Sequence, residues 1–394
     1  MESGRTRVTY QRNPNFCERI GQSLIGILIG AALLLLASGV IFWNEGRAVQ
    51  TAKSLDEGLS IVVPLANAHL ISSENTGKLV HLTGELHTQQ DLVDGTYNIR
   101  VRAVKLKRIV EMYQWEEQET EKKYDEGNGQ TRVEKSYSYS KVWKSNVIHS
   151  NGFDDSFNHR NPSEMPVREA SFNTDVNVGE FLLSDGLTGQ INNFRPVTLS
   201  PSNTHVDSRV KIKDNYFYHG QDVLYPEIGD VRVKFEYAGR SGPSLLLGSP
   251  DEVSIVARQV GSKLLPYQTV SGDTLEMLYF GSLSAKEMFG REKMQNTMMT
   301  WALRSIGWLM MFIGFSCLTS IVTTLVDWLP IVRDIIALGV CLMNMSLSVS
   351  LSLTIIAIGW IFYRPVLGIA ILAMAATPFV LSRFRGAAPR SRVD

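Results

Sequence analysis

The sequence predicts an α-helical multi-pass membrane protein, with four transmembrane helices and a large β-rich α+β domain between the first and the second. Three observations carry that expectation. Long uncharged apolar runs are confined to residues 24–43 and 306–381. The stretch between them is polar, and its apolar residues alternate with period two. Turn dipeptides separate the alternating runs, as between the strands of a sheet.

Residues 24–43 carry no charge, and roughly 20 helical residues cross a hydrocarbon core of about 30 Å. The run ends Phe42-Trp43-Asn44-Glu45, an interfacial aromatic followed by charge. It is longer than the ~7–15-residue apolar stretch of a cleaved signal peptide, which favours a retained anchor. Further spans are expected at 305–326, 335–362 and 366–382, with turns at 327–334 and 363–365. The last run is short, so a re-entrant pair is the alternative to two full spans. Arg5, Arg7, Arg12 and Arg19 lie in the 1–23 tail, and Arg383, Arg385, Arg390 and Arg392 in the 383–394 tail. Four spans place both tails on one side, and basic flanks assign that side to the cytosol or nucleoplasm. Residues 44–304 are then lumenal.

Within the middle domain, Ala48, Ala52, Leu55 and Leu59 recur at helical spacing and predict a short amphipathic segment. Strands are expected over 80–86, 97–103, 136–140, 231–237 and 253–257, and turns at Asn128-Gly129, Asn151-Gly152, Asp185-Gly186 and Gly242-Pro243. Ser284-Ala285-Lys286-Glu287 fits a capping box, predicting a helix from 285 that leads into the second span.

Composition excludes several functions. Lys+Arg and Asp+Glu both total 39, which gives no pull towards nucleic acid. All three cysteines, Cys17, Cys317 and Cys341, lie in or next to apolar runs, so the polar domain has neither disulfide nor thiolate metal site. No nucleotide-binding glycine loop, nucleophile elbow or zinc-binding helix motif is present. The seven histidines lack ligand spacing; His81 and His87 share a strand face, but two ligands alone do not hold zinc. No catalytic, cofactor or metal residue is therefore assigned.

The candidate functional residues are of another kind. Gly26 and Gly30, four apart in the first span, allow close helix–helix approach. Ser346, Ser348, Ser350 and Ser352, with Asn344, make the third span polar, and packing is favoured over an ion path because no charge lies within it. Cys17, just before the first span, is a candidate for acylation. The basic run Arg100, Arg102, Lys105, Lys107 and Arg108 reads as a solvated strand face, offset by Glu116, Glu117, Glu119 and Glu121. Met288, Met294, Met298 and Met299 read as adaptable packing where the second span begins.

Several stretches together resemble the LUMA family (transmembrane protein 43). They are Asn44-Glu-Gly-Arg-Ala48, Val110-Glu-Met-Tyr-Gln-Trp115, Tyr225-Pro-Glu-Ile-Gly-Asp230 with Tyr237-Ala-Gly239, Ser271-Gly-Asp-Thr-Leu275, Thr324-Leu-Val-Asp-Trp-Leu-Pro330 and Gly359-Trp-Ile-Phe-Tyr-Arg-Pro365. The resemblance implies four spans around a lumenal domain, in the inner nuclear membrane and the endoplasmic reticulum. It also implies self-association, and binding to emerin and A/B-type lamins in organising nuclear-envelope proteins. The function expected on these grounds is a non-enzymatic membrane scaffold. The alternatives are an ion channel or channel regulator, and a lumenal lipid- or ligand-binding module.

Overall fold

The computed structural model describes residues 5–127, 129–199, 207, 210–242, 247–326 and 330–366. The chain divides into two units. The β-rich unit comprises Met1–Asn13, Ile61–Tyr267 and Thr274–Met288, and the helical unit Pro14–Ser60, Gln268–Asp273 and Phe289–Asp394.

Two sheets organise the β-rich unit. The larger is built on β1 (Thr6–Arg12), β3 (Ala103–Asp125), β4 (Gln130–Lys144) and β5 (Val231–Arg240), in the order β1-β4-β3-β5 with Tyr216–His219 and Lys211–Lys213 beyond. The smaller centres on β2 (Leu79–His87), which pairs antiparallel with β6 (Glu252–Val260), while β7 (Met277–Phe280) pairs with the far side of β6. Alternation dictates what each strand buries. Val231, Val233 and Phe235 are on the core face of β5, where they pack with Tyr97, Leu106, Val110, Met112 and Phe217. A second core joins Val80, Leu82 and Leu86 of β2 to Val253, Ile255 and Ala257 of β6, with Phe181 and Leu187. Four of the five predicted strands fall within strands of the fold; the fifth, 97–103, opens in a turn at Tyr97 and Asn98 and divides between Ile99–Val101 and the start of β3.

An ion pair ties β5 to the start of β6. The Arg240 side chain donates to Asp251 Oδ1 at 2.9 and 2.7 Å, and the Arg240 backbone N–H donates to Oδ2 at 2.9 Å. Burial pushes the Asp251 carboxyl up, but these charge-assisted bonds outweigh it and hold the group below the usual carboxylate range. Because the folded pKa lies below the unfolded value of ~3.9, the contribution is complete above that value and is lost as pH falls through the folded pKa. Asp251→Asn should therefore lower the urea midpoint at pH 7 and cost progressively less as the pH is lowered below about 3.9, flattening the profile followed by tryptophan fluorescence. An unchanged profile would show that the pair does not contribute.

The structure corrects several sequence expectations. The 1–23 segment is not a free basic tail: Thr6–Arg12 is a strand paired with Gln130–Ser136 of β4. No strand pairing can be made through a bilayer, so this register and a membrane crossing between residues 12 and 44 exclude each other. The first helix, α1, runs from Phe16 to Ile61 without interruption, so the short amphipathic segment is its continuation. No proline intervenes, and Val62-Val63-Pro64 ends it. Asp185-Gly186 is no turn but the first turn of a short helix, Asp185–Gln190, whose Ser184 cap accepts from the Leu187 N–H at 3.1 Å. The basic run is offset by Asp91 and Asp94, which face Arg100, Arg102 and Arg108; Glu119 and Glu116 instead pair with Lys135 and Lys144.

The capping box forms as predicted. The Ser284 N–H donates to the Glu287 carboxylate at 2.8 Å, and the Glu287 N–H to the Ser284 hydroxyl at 3.3 Å. It opens α2 (Ala285–Leu325), one continuous helix. The third helix, α3, runs from Pro330 to Tyr363. Proline at its first position lacks only an N–H that would have no partner there, and Arg364-Pro365 ends it. Residues 330–334, expected in a turn, are therefore helical. Among the described residues, α1, α2 and α3 are the helices long and apolar enough to cross a membrane. The expected fourth span at 366–382 lies outside the described residues, apart from Val366, as does the 383–394 tail.

Candidate functional site

Close approach of α1 and α2 rests on glycine. A side chain at Gly30 would meet the Gly314 carbonyl at 2.6 Å, and one at Gly307 would collide with Ile41. Gly26 faces Ser320 and the Cys317 carbonyl, and the Ser23 and Thr324 hydroxyls bond at 3.0 Å. Low residue numbers in α1 thus meet high ones in α2, so the helices are antiparallel. Gly26 and Gly30 are occupied within the chain by this contact. Ala37, Ile41 and Met311 form the dry centre of the bundle, with Leu351, Ile355 and Ile356 of α3 packed against them.

The serines of α3 divide by helical face. Asn344, Ser348 and Ser352 recur every four residues and are buried, whereas Ser346 and Ser350 are exposed. The Asn344 amide donates to the Thr319 hydroxyl at 2.8 Å, and the Ser352 hydroxyl to Met311 Sδ at 3.2 Å. Asn344 and Ser352 therefore bond to α2, while the Ser348 hydroxyl donates to the Met345 carbonyl of its own helix at 2.8 Å. Cys17 is exposed in the first turn of α1. Of the four methionines expected to pack, Met288 is fully buried, whereas Met294, Met298 and Met299 point outward at 54–65% exposure.

Immediately beyond the apolar part of α1, the three helices share a buried polar junction. Glu45, only 2% exposed, accepts from Arg304 of α2 through both carboxylate oxygens, at 2.7 and 2.8 Å. The Trp360 indole N–H of α3 donates to the same carboxylate at 2.9 Å. Arg304 lies over the rings of Trp301 and Trp360, 4.9 and 5.9 Å from their centroids. One residue back, the buried Asn44 amide donates to the Thr300 carbonyl at 3.1 Å. Arg47 donates to Asn44, Thr300 and Asn296, at 3.0–3.1 Å. A bidentate arginine–carboxylate pair with a third donor is the arrangement in which a buried charge is tolerated.

Glycine again allows the approach. A side chain at Gly359 would press on the Glu45 Cβ at 2.9 Å, and one at Gly46 on the Tyr363 ring at 2.6 Å. Phe42 completes the contact, its ring centroid 5.8 Å from that of Phe362 and 5.4 Å from that of Tyr363. Gly359→Val is expected to destabilise the protein by about 1–3 kcal/mol through overpacking, read as a lower melting temperature in detergent. An unchanged midpoint would mean that α3 is not held this tightly.

Sequence reasoning missed this junction, reading Glu45 only as the charge that ends a span. A signal was present. Glu45 follows the first apolar run by two residues and Arg304 precedes the second by two, so antiparallel helices bring them to one level. Asn44–Ala48 and Gly359–Pro365, two of the stretches that carry the family resemblance, meet here.

The loop Gln268–Asp273, which also belongs to the helical unit, holds the continuation of α1. Gln50 donates to Asp273 at 2.8 Å, and Ser54 and Thr269 are hydrogen-bonded at 2.9 Å. Among the described residues no group of three or more His, Cys, Asp or Glu could hold a metal ion.

Comparison with known proteins agrees with the resemblance. The family model described as "Transmembrane protein 43" matches residues 112–365. The chain is 43% identical to mouse transmembrane protein 43 over 381 residues, covering 96% of this chain and 94% of that protein. Human transmembrane protein 43 matches at 43% over 384 residues with the same coverage. A Drosophila melanogaster homologue is 33% identical, over 90% of this chain and 93% of its own length. No solved structure matches the chain.

Proposed function

Since the chain belongs to the transmembrane protein 43 family, we propose that it is a non-enzymatic membrane scaffold. It would self-associate in the inner nuclear membrane and endoplasmic reticulum and help to organise nuclear-envelope proteins. Emerin and the A/B-type lamins are its proposed partners, taken from the family resemblance. The observation that supports a contact-making role is the polar junction. Its carboxylate is spent within the bundle, with Glu45 taking both Arg304 and Trp360, which suits fixing three helices in one arrangement. Cross-linking in intact membranes, followed by identification of the captured proteins, tests the reading. Recovery of this chain with itself and with emerin or lamin is expected. A strictly monomeric protein that captures neither would end the proposal.

The proposed orientation has both termini in the cytosol or nucleoplasm and residues 44–304 in the lumen. It requires Thr6–Arg12 to leave β4 on membrane insertion. Glycosylation acceptors inserted at 128–129 and in each tail report it directly. Modification at 128–129 alone is expected, and modified tails would reverse the assignment. The channel reading draws on the hydroxyls of α3, but Ser348 and Ser352 are buried and bonded to protein atoms of α3 and α2, which favours the scaffold.

A further inference from the structure

Beside the junction lies a cavity of about 470 Å³ within the helical unit, inside the roughly 300–1,000 Å³ range of small-ligand sites. Its floor is the Glu45–Arg304–Trp360 group, and Lys293, Asp56 and Arg364 line it further out. Glu45 is matched by Arg304, and Asp56 by Lys293 at 2.5 Å. The half-buried Arg364 guanidinium has no hydrogen-bond or ion-pair partner among the described residues, which leaves the lining with an excess positive charge. The Lys293–Asp56 pair is 41% and 69% exposed, so it is weak and easily exchanged.

Two features set the depth and direction of this cavity. Trp301 and Trp360 line it, and tryptophan favours the level of lipid headgroups. Below Trp301, which is 61% exposed, Trp308 and Phe312 continue its stripe of α2 at seven- and eleven-residue spacing, their ring centroids 6.4 Å apart. An apolar track therefore descends from a cationic recess into the hydrocarbon.

We propose that this recess binds the phosphate of an anionic phospholipid, with Arg364 as the principal contact and Lys293 as the second. Arginine matches the phosphate oxygens with paired donors, and the acyl chains lie along Trp301, Trp308 and Phe312. Basic pockets between transmembrane helices hold acidic headgroups on this principle. The site concerns lipid alone and stands independently of the protein partners proposed above.

The test uses the full-length protein purified in detergent. Melting temperature is followed during titration with short-chain phosphatidylglycerol, short-chain phosphatidylcholine or inorganic phosphate, and bound lipid is counted by native mass spectrometry. Phosphatidylglycerol is expected to raise the melting temperature and remain bound at least tenfold more tightly than phosphatidylcholine. Arg364→Gln should abolish that preference and leave the lipid-free melting temperature unchanged, because Arg364 makes no side-chain bond among the described residues. Lys263→Gln removes an equal charge from the surface of the β-rich unit and should leave the preference intact. Equal binding of the two lipids, or an Arg364→Gln protein with undiminished preference, would overturn the assignment. Stabilisation by inorganic phosphate at the same concentrations would also overturn it, by showing that the lipid's chains contribute nothing.

Discussion

Glu45→Ala is expected to lower the stability of the folded protein by about 3–5 kcal/mol, the cost of removing one partner of a buried pair. Arg304, 13% exposed at its side chain, would keep its charge with no carboxylate to receive it, and the Trp360 N–H would lose its acceptor. Guanidinium or thermal unfolding in detergent measures the loss. A second variant separates charge from packing. Glu45→Leu combined with Arg304→Met removes both charges and keeps apolar volume, so it should recover most of the stability. If the single variant were as stable as the parent, the three helices would be held by their apolar surfaces alone.

In the β-rich unit the largest single effect is expected at Asp94, whose side chain is 1% exposed. One carboxylate oxygen accepts from the Thr96 and Tyr97 N–H groups, at 2.9 and 3.2 Å, closing the turn between the short strands Leu92–Asp94 and Ile99–Val101. The other accepts from Arg108 of β3 at 2.9 Å. Asp94→Ala therefore leaves a half-buried guanidinium and two turn amides without acceptors at once. A loss of about 3–5 kcal/mol follows, by the same argument. Asp94→Asn, which keeps an acceptor for the turn but not the charge, should cost distinctly less. Equal losses in the two variants would mean that the turn contributes nothing and the ion pair everything.

How legible these features were in the sequence depended on the range of the interaction involved. The spans could be read because an uncharged run of this length has few other uses. Strands such as Val231-Arg-Val-Lys-Phe-Glu-Tyr237 could be read because alternation is a local signature. The capping box was local as well, a matter of three residues. Glu45 was opaque because its partners, Arg304 and Trp360, are distant in sequence and each looks like an ordinary boundary residue. Thr6–Arg12 alternates, yet its arginines suggested a basic tail and outweighed the pattern. The distal half of β3 is exposed on both faces, so its charges hide the period that identifies a strand. Asp185-Gly186 resembled a turn because glycine is a poor helix former; the Ser184 cap and the buried Leu187 override that preference.

The pairing of β2 with β6 bears on how the protein is made. Val63–Pro64 and Asn177–Val178 pair with only two residues each of Leu79–His87, which pairs along its length with Glu252–Val260. At roughly 5–20 residues per second, the ribosome needs on the order of ten seconds or more to deliver that partner. Until then Val80, Leu82 and Leu86 emerge with their apolar side unprotected, beside an edge open to any other extended chain. In the proposed orientation α1 is inserted earlier in synthesis, so a tethered, half-finished domain waits at the membrane for its closing strand. Biogenesis of this chain should therefore depend on holding factors during that interval, and truncations that end before residue 252 should aggregate or be degraded.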